Sequence, residues 1–401
     1  MPQRVFITGF GIISAIGFDV KEVINSLKGL RTGVSNLSLI DSVYKDEIPV
    51  AEIKASNKDL LGMAGPEQQG YYSRTALLGL IAAKQAVAHA HLDQMEHWRT
   101  GLISATTVGG MDRSELFYRS FLKDNTRGRI RNVAGHDCGD STEKIADCLG
   151  IKYFISTINT ACSSSANSIM LGTRLIRQGK LDRVVAGGVD ALTLFTLNGF
   201  NSLMILDRQQ CRPFDENRNG LNLGEGSAFL VLESEEVVRR ESKSVLCEMK
   251  GYGNTCDAYH QTASSPEGHG AYWSMKKALE VAQLSTEDID YINTHGTGTK
   301  NNDLSEGVAI ERIFQGKVPP CSSTKSYTGH TLGAAGAIEA VLSVLAIQNG
   351  WIYPNLNFSQ QMHELSFTPV TEFKTNIMVS NIMSNSFGFG GNNSSLIFSK
   401  Y

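Results

Sequence analysis

The stretch Tyr153-Phe154-Ile155-Ser156-Thr157-Ile158-Asn159-Thr160-Ala161-Cys162-Ser163-Ser164-Ser165-Ala166 passes from β-branched and aromatic residues into small ones. Residues 153–158 read as a strand. Residues 164–178 carry Ala166, Ile169, Met170 and Ile176 at helical spacing, and Gly179 supplies a stop. Cys162 is therefore expected at or just before a helix N-terminus. The helix dipole and free N–H groups there favour thiolate, so the pKa is expected to fall below the usual cysteine value of about 8.5. A lone cysteine in such a place is more often a small packing residue. Its partners further along the chain reverse that reading.

Two histidines sit in glycine- and hydroxyl-rich corners. One is in Asp290-Tyr291-Ile292-Asn293-Thr294-His295-Gly296-Thr297-Gly298-Thr299, the other in Ser322-Ser323-Thr324-Lys325-Ser326-Tyr327-Thr328-Gly329-His330. Small residues from Leu332 to Ala337 let a helix pack close to whatever holds His330. Histidine donates, accepts or carries charge near neutral pH. Zinc is the competing use, but neither residue has a His-x-x-x-His or Cys-x-x-Cys neighbour, so no metal site is expected. Ser384-Asn385-Ser386-Phe387-Gly388-Phe389-Gly390-Gly391-Asn392-Asn393 reads either as a glycine-rich hairpin or as a loop that aims a main-chain N–H at a developing oxyanion.

The chain has 401 residues, 41% hydrophobic content, a formal net charge of −3 and seven cysteines. That is enough chain for a large core or two fused domains. The near-neutral charge argues against nucleic acid, and an odd cysteine count without framework spacing suggests reduced thiols in a cytoplasm. Met1-Pro2-Gln3-Arg4 leads directly into a strand without a signal-peptide h-region, and no run looks long enough to span a membrane.

Strands alternate with helical patterns such as Ser73 to Ala90 and Ala271 to Gln283, which implies α/β architecture. An internal duplication is expected. Val5 to Gly11 matches Val245 to Gly253, and Val184 to Gly188 matches Ile382 to Gly391 in placement. Ile155 to Cys162 and Tyr291 to His295, each containing Ile-Asn-Thr, read as equivalent strand ends. The boundary falls in the charged stretch Glu233 to Ser244, giving a half with the cysteine at 1–240 and a half with both histidines at 241–401.

Together these motifs, with Arg212-Pro213-Phe214-Asp215 and Gly224-Glu225-Gly226, resemble the elongating β-ketoacyl-(acyl carrier protein) synthases of the thiolase superfamily over nearly the whole chain. The resemblance implies a five-layered αβαβα thiolase-like fold. It also implies a homodimer, with a heterodimer of two ketosynthase-like chains as the other arrangement. The implied reaction is decarboxylative condensation of a Cys162-bound acyl chain with malonyl carrier protein. His295 and His330 would hold the enolate, Lys325 and Glu339 would support them, and the N–H groups of Cys162 and Phe389 would form the oxyanion hole. Thr297 and Thr299 would contact the phosphopantetheine arm, which arrives on the carrier protein, so no resident cofactor is implied. Related enzymes with a Cys-His-Asn set fit less well, because Gly329-His330 supplies a second histidine, and thiolases proper fit less well because no second cysteine stands in the matching C-terminal corner. A non-catalytic chain-length partner would typically lack the cysteine. Basic residues Arg127, Arg129, Arg131 and Arg208 are candidates for docking the acidic carrier protein, since Met204 stands where an arginine is common. Asn392, where threonine is common, Asn219 in Arg218-Asn219-Gly220, and the polar run Gly109-Gly110-Met111-Asp112-Arg113 depart from the usual pattern and leave the substrate open.

Overall fold

Val5–Ser14 is dominated by apolar and small residues and needs cover on both faces; it forms β1, buried along its whole length. The other strands are β2 (Thr100–Ala105), β3 (Phe154–Ile158), β4 (Arg183–Asp190), β5 (Gly226–Ser234), β6 (Cys247–Cys256), β7 (Tyr291–Asn293), β8 (Cys321–Ser322), β9 (Asn381–Phe387) and β10 (Asn392–Ser399). These come from a computed structural model that describes residues 3–65, 71–92 and 95–401. Met1 and Pro2, at the start of the N-terminal stretch considered above, lie outside the described residues.

The strand order is β3-β2-β4-β5-β1-β6-β10-β9-β7-β8. Each half repeats one topology. β1 pairs antiparallel with β5 and β5 with β4, whereas β4–β2 and β2–β3 are parallel. Likewise β6 pairs antiparallel with β10 and β10 with β9, whereas β9–β7 and β7–β8 are parallel. The halves meet where Phe6 and Ile7 pair with Glu248 and Cys247. This confirms the duplication, with β1 equivalent to β6 and β4 to β9. It corrects one pairing. The strand before Cys162 is the edge strand β3, whose counterpart is β8, and the strand before His295 is β7, whose counterpart is β2. The shared Ile-Asn-Thr is a local coincidence, because position in the sheet, not a tripeptide, defines equivalence.

Helices Ser164–Arg177 and Ala335–Asn349 pack on each other and on strands of both half-sheets. Arg74–His89 and Cys138–Leu149 cover the first half-sheet, and His269–Ala282 with Lys300–Phe314 covers the second. The result is the expected five-layered αβαβα fold, with the two central helices as the middle layer. Their approach requires glycine at 336, where a Cβ would lie 2.9 Å from the main-chain nitrogen of Ala166. Contrary to the sequence expectation, one stretch, Leu332–Asn349, is long and apolar enough to cross a membrane, with a mean hydropathy of 1.4. It is 89% buried inside the protein, as the middle layer demands, since a helix between two sheets has no polar face to keep.

Candidate active site

Cys162 follows β3 and precedes helix Ser164–Arg177; His330 follows β8 and precedes helix Ala335–Asn349. The two residues therefore occupy equivalent corners of the two halves. Each corner holds a non-glycine residue in the left-handed region, Ala161 at φ 53° and Leu332 at φ 52°, a conformation costing about 1–2 kcal/mol. On the cysteine side, the Ser164 hydroxyl accepts from the Thr160 N–H at 2.8 Å and donates to the Ala161 carbonyl at 2.5 Å. On the histidine side, the His330 N–H donates to the Asn222 carbonyl at 2.7 Å.

The corners bring His330 Nε2 to 3.1 Å from Cys162 Sγ. The His295 ring stands nearly perpendicular to that of His330, with centroids 5.4 Å apart. The thiol and two imidazole ligand atoms lie within 4.8 Å of one another, a convergence that sequence spacing did not reveal. Lys325 is 1% exposed, and its ammonium is an ion-pair partner of the buried Glu339 carboxylate. It also donates to the His295 carbonyl at 2.6 Å and faces His295 Nδ1 at 3.3 Å. An ammonium only donates, so Nδ1 is the acceptor and His295 carries its proton on Nε2, the nitrogen left to donate. Burial, then the Lys325 charge, lowers both histidine pKa values well below the ordinary value, so both rings are neutral at pH 7. Burial pushes Glu339 up to about 7, against the pull of Lys325.

The expected depression of the Cys162 pKa is not found. The residue is 6% exposed, and burial raises the thiol to about 11, overriding Lys325 and the N–H groups of Phe389 and Cys162 that favour the anion. Phe389 and Cys162 line the same cavity, because Gly388 lets the loop press against the cysteine corner. A Cβ on Gly388 would meet the Thr160 carbonyl at 2.7 Å.

These groups line the floor of a cavity of about 390 Å³, with Thr297 and Thr299 on its wall and Met204, Asn219, Ser264 and Lys300 also lining it. The two threonine hydroxyls are 2.9 Å apart. Arg127, Arg129, Arg131 and Arg208 do not line this cavity. Arg127 pairs with Asp124 at 2.9 Å, Arg131 lies over the Tyr71 ring at 5.4 Å, and Arg208 pairs with Glu47 at 2.5 Å. Asp112 and Arg113, from the polar run noted above, line a separate pocket.

Two acidic residues went unnoticed in the sequence. Glu306 accepts the N–H groups of His295 and Gly296 at 2.9 and 2.8 Å, and Asp303 accepts that of Thr297 at 3.0 Å. Their spacing of three on helix Lys300–Phe314, directly after the His-Gly-Thr-Gly turn, puts both on the face that looks back at that turn.

The β-ketoacyl synthase N-terminal domain matches residues 2–237 and its C-terminal domain residues 246–359. The chain belongs to the β-ketoacyl synthase family. It is 34% identical to 3-oxoacyl-(acyl-carrier-protein) synthase 2 of Staphylococcus aureus (strain COL), over 100% of this chain and 99% of that one. Among solved structures, the ishigamide ketosynthase/chain length factor is similar at TM-score 0.94 and 30% identity, covering 100% of both chains. A chain in the structure of the ketosynthase ApeO in complex with its chain length factor ApeC from Xenorhabdus doucetiae is similar at TM-score 0.86 and 32% identity, covering 100% of this chain and 98% of that one.

The thiol pKa has a direct consequence. The rate of iodoacetamide alkylation at Cys162, followed by mass spectrometry of its peptide, is expected to keep rising tenfold per pH unit from pH 7 to beyond 9.5. A plateau near pH 8.5 would mean an ordinary or activated thiolate.

Proposed function

We infer that the cavity runs the two half-reactions of a β-ketoacyl synthase, and the observation that carries this is the 3.1 Å contact between Cys162 Sγ and His330 Nε2 at its floor. In the first, Cys162 attacks an acyl thioester. The new sulfur–carbon bond forms as the carrier's carbon–sulfur bond breaks. The thiol proton passes through His330 to the departing carrier thiol, and the N–H groups of Cys162 and Phe389 hold the oxyanion. In the second, a malonyl thioester loses carbon dioxide. The electron pair of the broken carbon–carbon bond becomes an enolate whose oxygen accepts from the Nε2–H of His295 and from the Nε2–H tautomer of His330, the opposite tautomer to the one that accepts the thiol proton in the first half-reaction. The enolate carbon attacks the acyl-cysteine and expels the Cys162 sulfur as thiolate, which takes a proton from solvent. The product is a β-ketoacyl carrier protein two carbons longer. Lys325, neutralised by Glu339, keeps His295 a neutral donor. Thr297 and Thr299 contact the phosphopantetheine arm, which the carrier protein brings, so the reading needs no resident cofactor.

The division at about residue 240 gives one half the nucleophile and the other both histidines. The seven free cysteines fit a cytoplasmic enzyme. The edge strand β3 pairs on one side only, among the described residues, and exposes Ile155, with exposed Tyr153 just before it, so we read it as the seat of a second chain of the same fold. A homodimer is the simpler form, and a heterodimer with a chain-length-factor-like chain is the form that two similar structures display. A non-catalytic role is the weaker reading, because the cysteine and both histidines are present and converge.

Replacing Cys162 by Ala is expected to abolish condensation with the fold intact. His295→Ala and His330→Ala are each expected to slow malonyl decarboxylation by about 10²–10³-fold while retaining some acyl loading of Cys162. Carbon dioxide release at the wild-type rate in both variants would sink this division. Reversing Arg127 and Arg131 to Glu is expected to raise the KM for carrier-protein substrates and weaken its salt dependence, leaving pantetheine thioesters little changed. Equal losses with both substrates would remove these arginines from docking. A native mass of one chain at micromolar concentration, for the protein purified alone and with any co-expressed ketosynthase-like chain, would overturn the paired assembly.

A further inference from the structure

Asn392 opens β10, directly after the glycine-rich loop that carries Phe389. Its side-chain oxygen collects three donors, each at 2.8 Å: the Ser163 hydroxyl, Asn167 Nδ2 and Asn254 Nδ2. These come from the residue after the nucleophile, from the central helix Ser164–Arg177, and from β6 of the other half. The donors are themselves tied together. Asn167 Nδ2 also donates to the Thr160 hydroxyl at 2.8 Å, Asn254 Nδ2 to Asn167 Oδ1 at 3.1 Å, and the Ser394 hydroxyl to Asn167 Oδ1 at 2.8 Å. The Asn392 carbonyl accepts the Gly388 N–H at 2.8 Å and so closes the loop on itself.

The Cys162 and Phe389 N–H groups, from two residues lining one cavity, belong to different halves of the chain. One is next to Ser163 and the other is three residues before Asn392. The Ser163 hydroxyl lies 2.8 Å from both Asn392 Oδ1 and the Thr160 carbonyl and, sharing its one proton between them, links the two arms. We propose that Asn392 is a positioning residue for acyl transfer: its side-chain oxygen fixes the separation of the Cys162 and Phe389 N–H groups, and so the fit of the oxyanion. A shorter hydroxyl side chain cannot hold Asn167 and Asn254 from the same place, and an apolar one accepts nothing. Small misplacements of such donors are costly, about 10²-fold for 1 Å. The enolate chemistry depends on His295 and His330, whose supports in the network around Lys325 do not include Asn392. This inference rests on the reading of Cys162 and Phe389 as the oxyanion hole.

The test compares Asn392→Leu with Asn392→Asp, whose carboxylate still accepts all three donors. Single-turnover acylation of Cys162 by an acyl-pantetheine thioester and carbon dioxide release from a malonyl thioester by unloaded enzyme are measured in parallel. Asn392→Leu is expected to slow acylation about 10- to 100-fold through kcat, with KM and decarboxylation within about threefold of wild type. Asn392→Asp is expected to recover most of the acylation rate. Should Asn392→Leu fail to fold, Ser163→Ala removes one of the three donors and is expected to give a smaller loss of the same half-reaction. Equal losses in both half-reactions, or Asp no better than Leu, would overturn the proposal. A wild-type enzyme that never acylates Cys162 would overturn the underlying reading, and the positioning role with it.

Discussion

A fully buried ammonium is the constraint on which the site depends. Lys325 cannot keep its charge inside the protein without compensation, because desolvating an ion costs several kcal/mol even after relaxation. Glu339 and the His295 carbonyl supply that compensation. Once held there, the ammonium does three things at no further cost. It forces the proton of His295 onto Nε2, it opposes protonation of both imidazoles, and it lends positive potential to the sulfur. Glu339 lies on the helix that packs in the middle layer, so the electrostatics of the site are anchored in the most buried element of the fold.

The duplicated topology explains why the reacting groups can be assembled from distant parts of the chain. Each half ends its edge strand in a strained corner and then enters a central helix. Packing the two central helices against each other brings the corners face to face, with Cys162 on one and His330 on the other. His295 comes from a different structural position, the end of an inner strand, and meets the pair from the side. Close packing at Gly336 and Gly388 sets the distances. A site built this way is fixed by backbone approach rather than by flexible side chains, which suits chemistry that needs donors aimed to within a fraction of an ångström.

Much of this was legible in the sequence, for identifiable reasons. The strand–Cys–helix corner and the two histidine corners declare themselves because nucleophile and base need glycine, hydroxyl and small neighbours in short runs. What stayed hidden depends on tertiary placement. Asp303 and Glu306 look like ordinary helical acids until the preceding turn folds back onto them. Asn254 and Asn392 are separated by most of the second half and meet only because β6 and β10 are neighbours. The equivalence of β3 with β8 was obscured by a repeated tripeptide, and sheet order alone resolves it.

The thiol shows most clearly where local reasoning ends. Helix position argues for a depressed pKa, and burial argues for a raised one. Burial wins, at about 11. At pH 7 the thiolate fraction is then on the order of 10⁻⁴, so the resting form is the thiol. On the proposed reading the sulfur gives up its proton as it attacks, and the only histidine nitrogen in hydrogen-bond contact with it, among the described residues, is His330 Nε2. His330 is neutral at pH 7, so on the proposed reading its Nε2 takes the proton only in passing, on the way to the leaving thiol. A dry, protonated thiol is also a poor target for adventitious oxidants and alkylating agents, which react with thiolate. On the proposed reading, the same burial that removes the helix advantage makes the nucleophile conditional, reactive only when a thioester enters the cavity and the N–H groups of Cys162 and Phe389 have an oxyanion to hold.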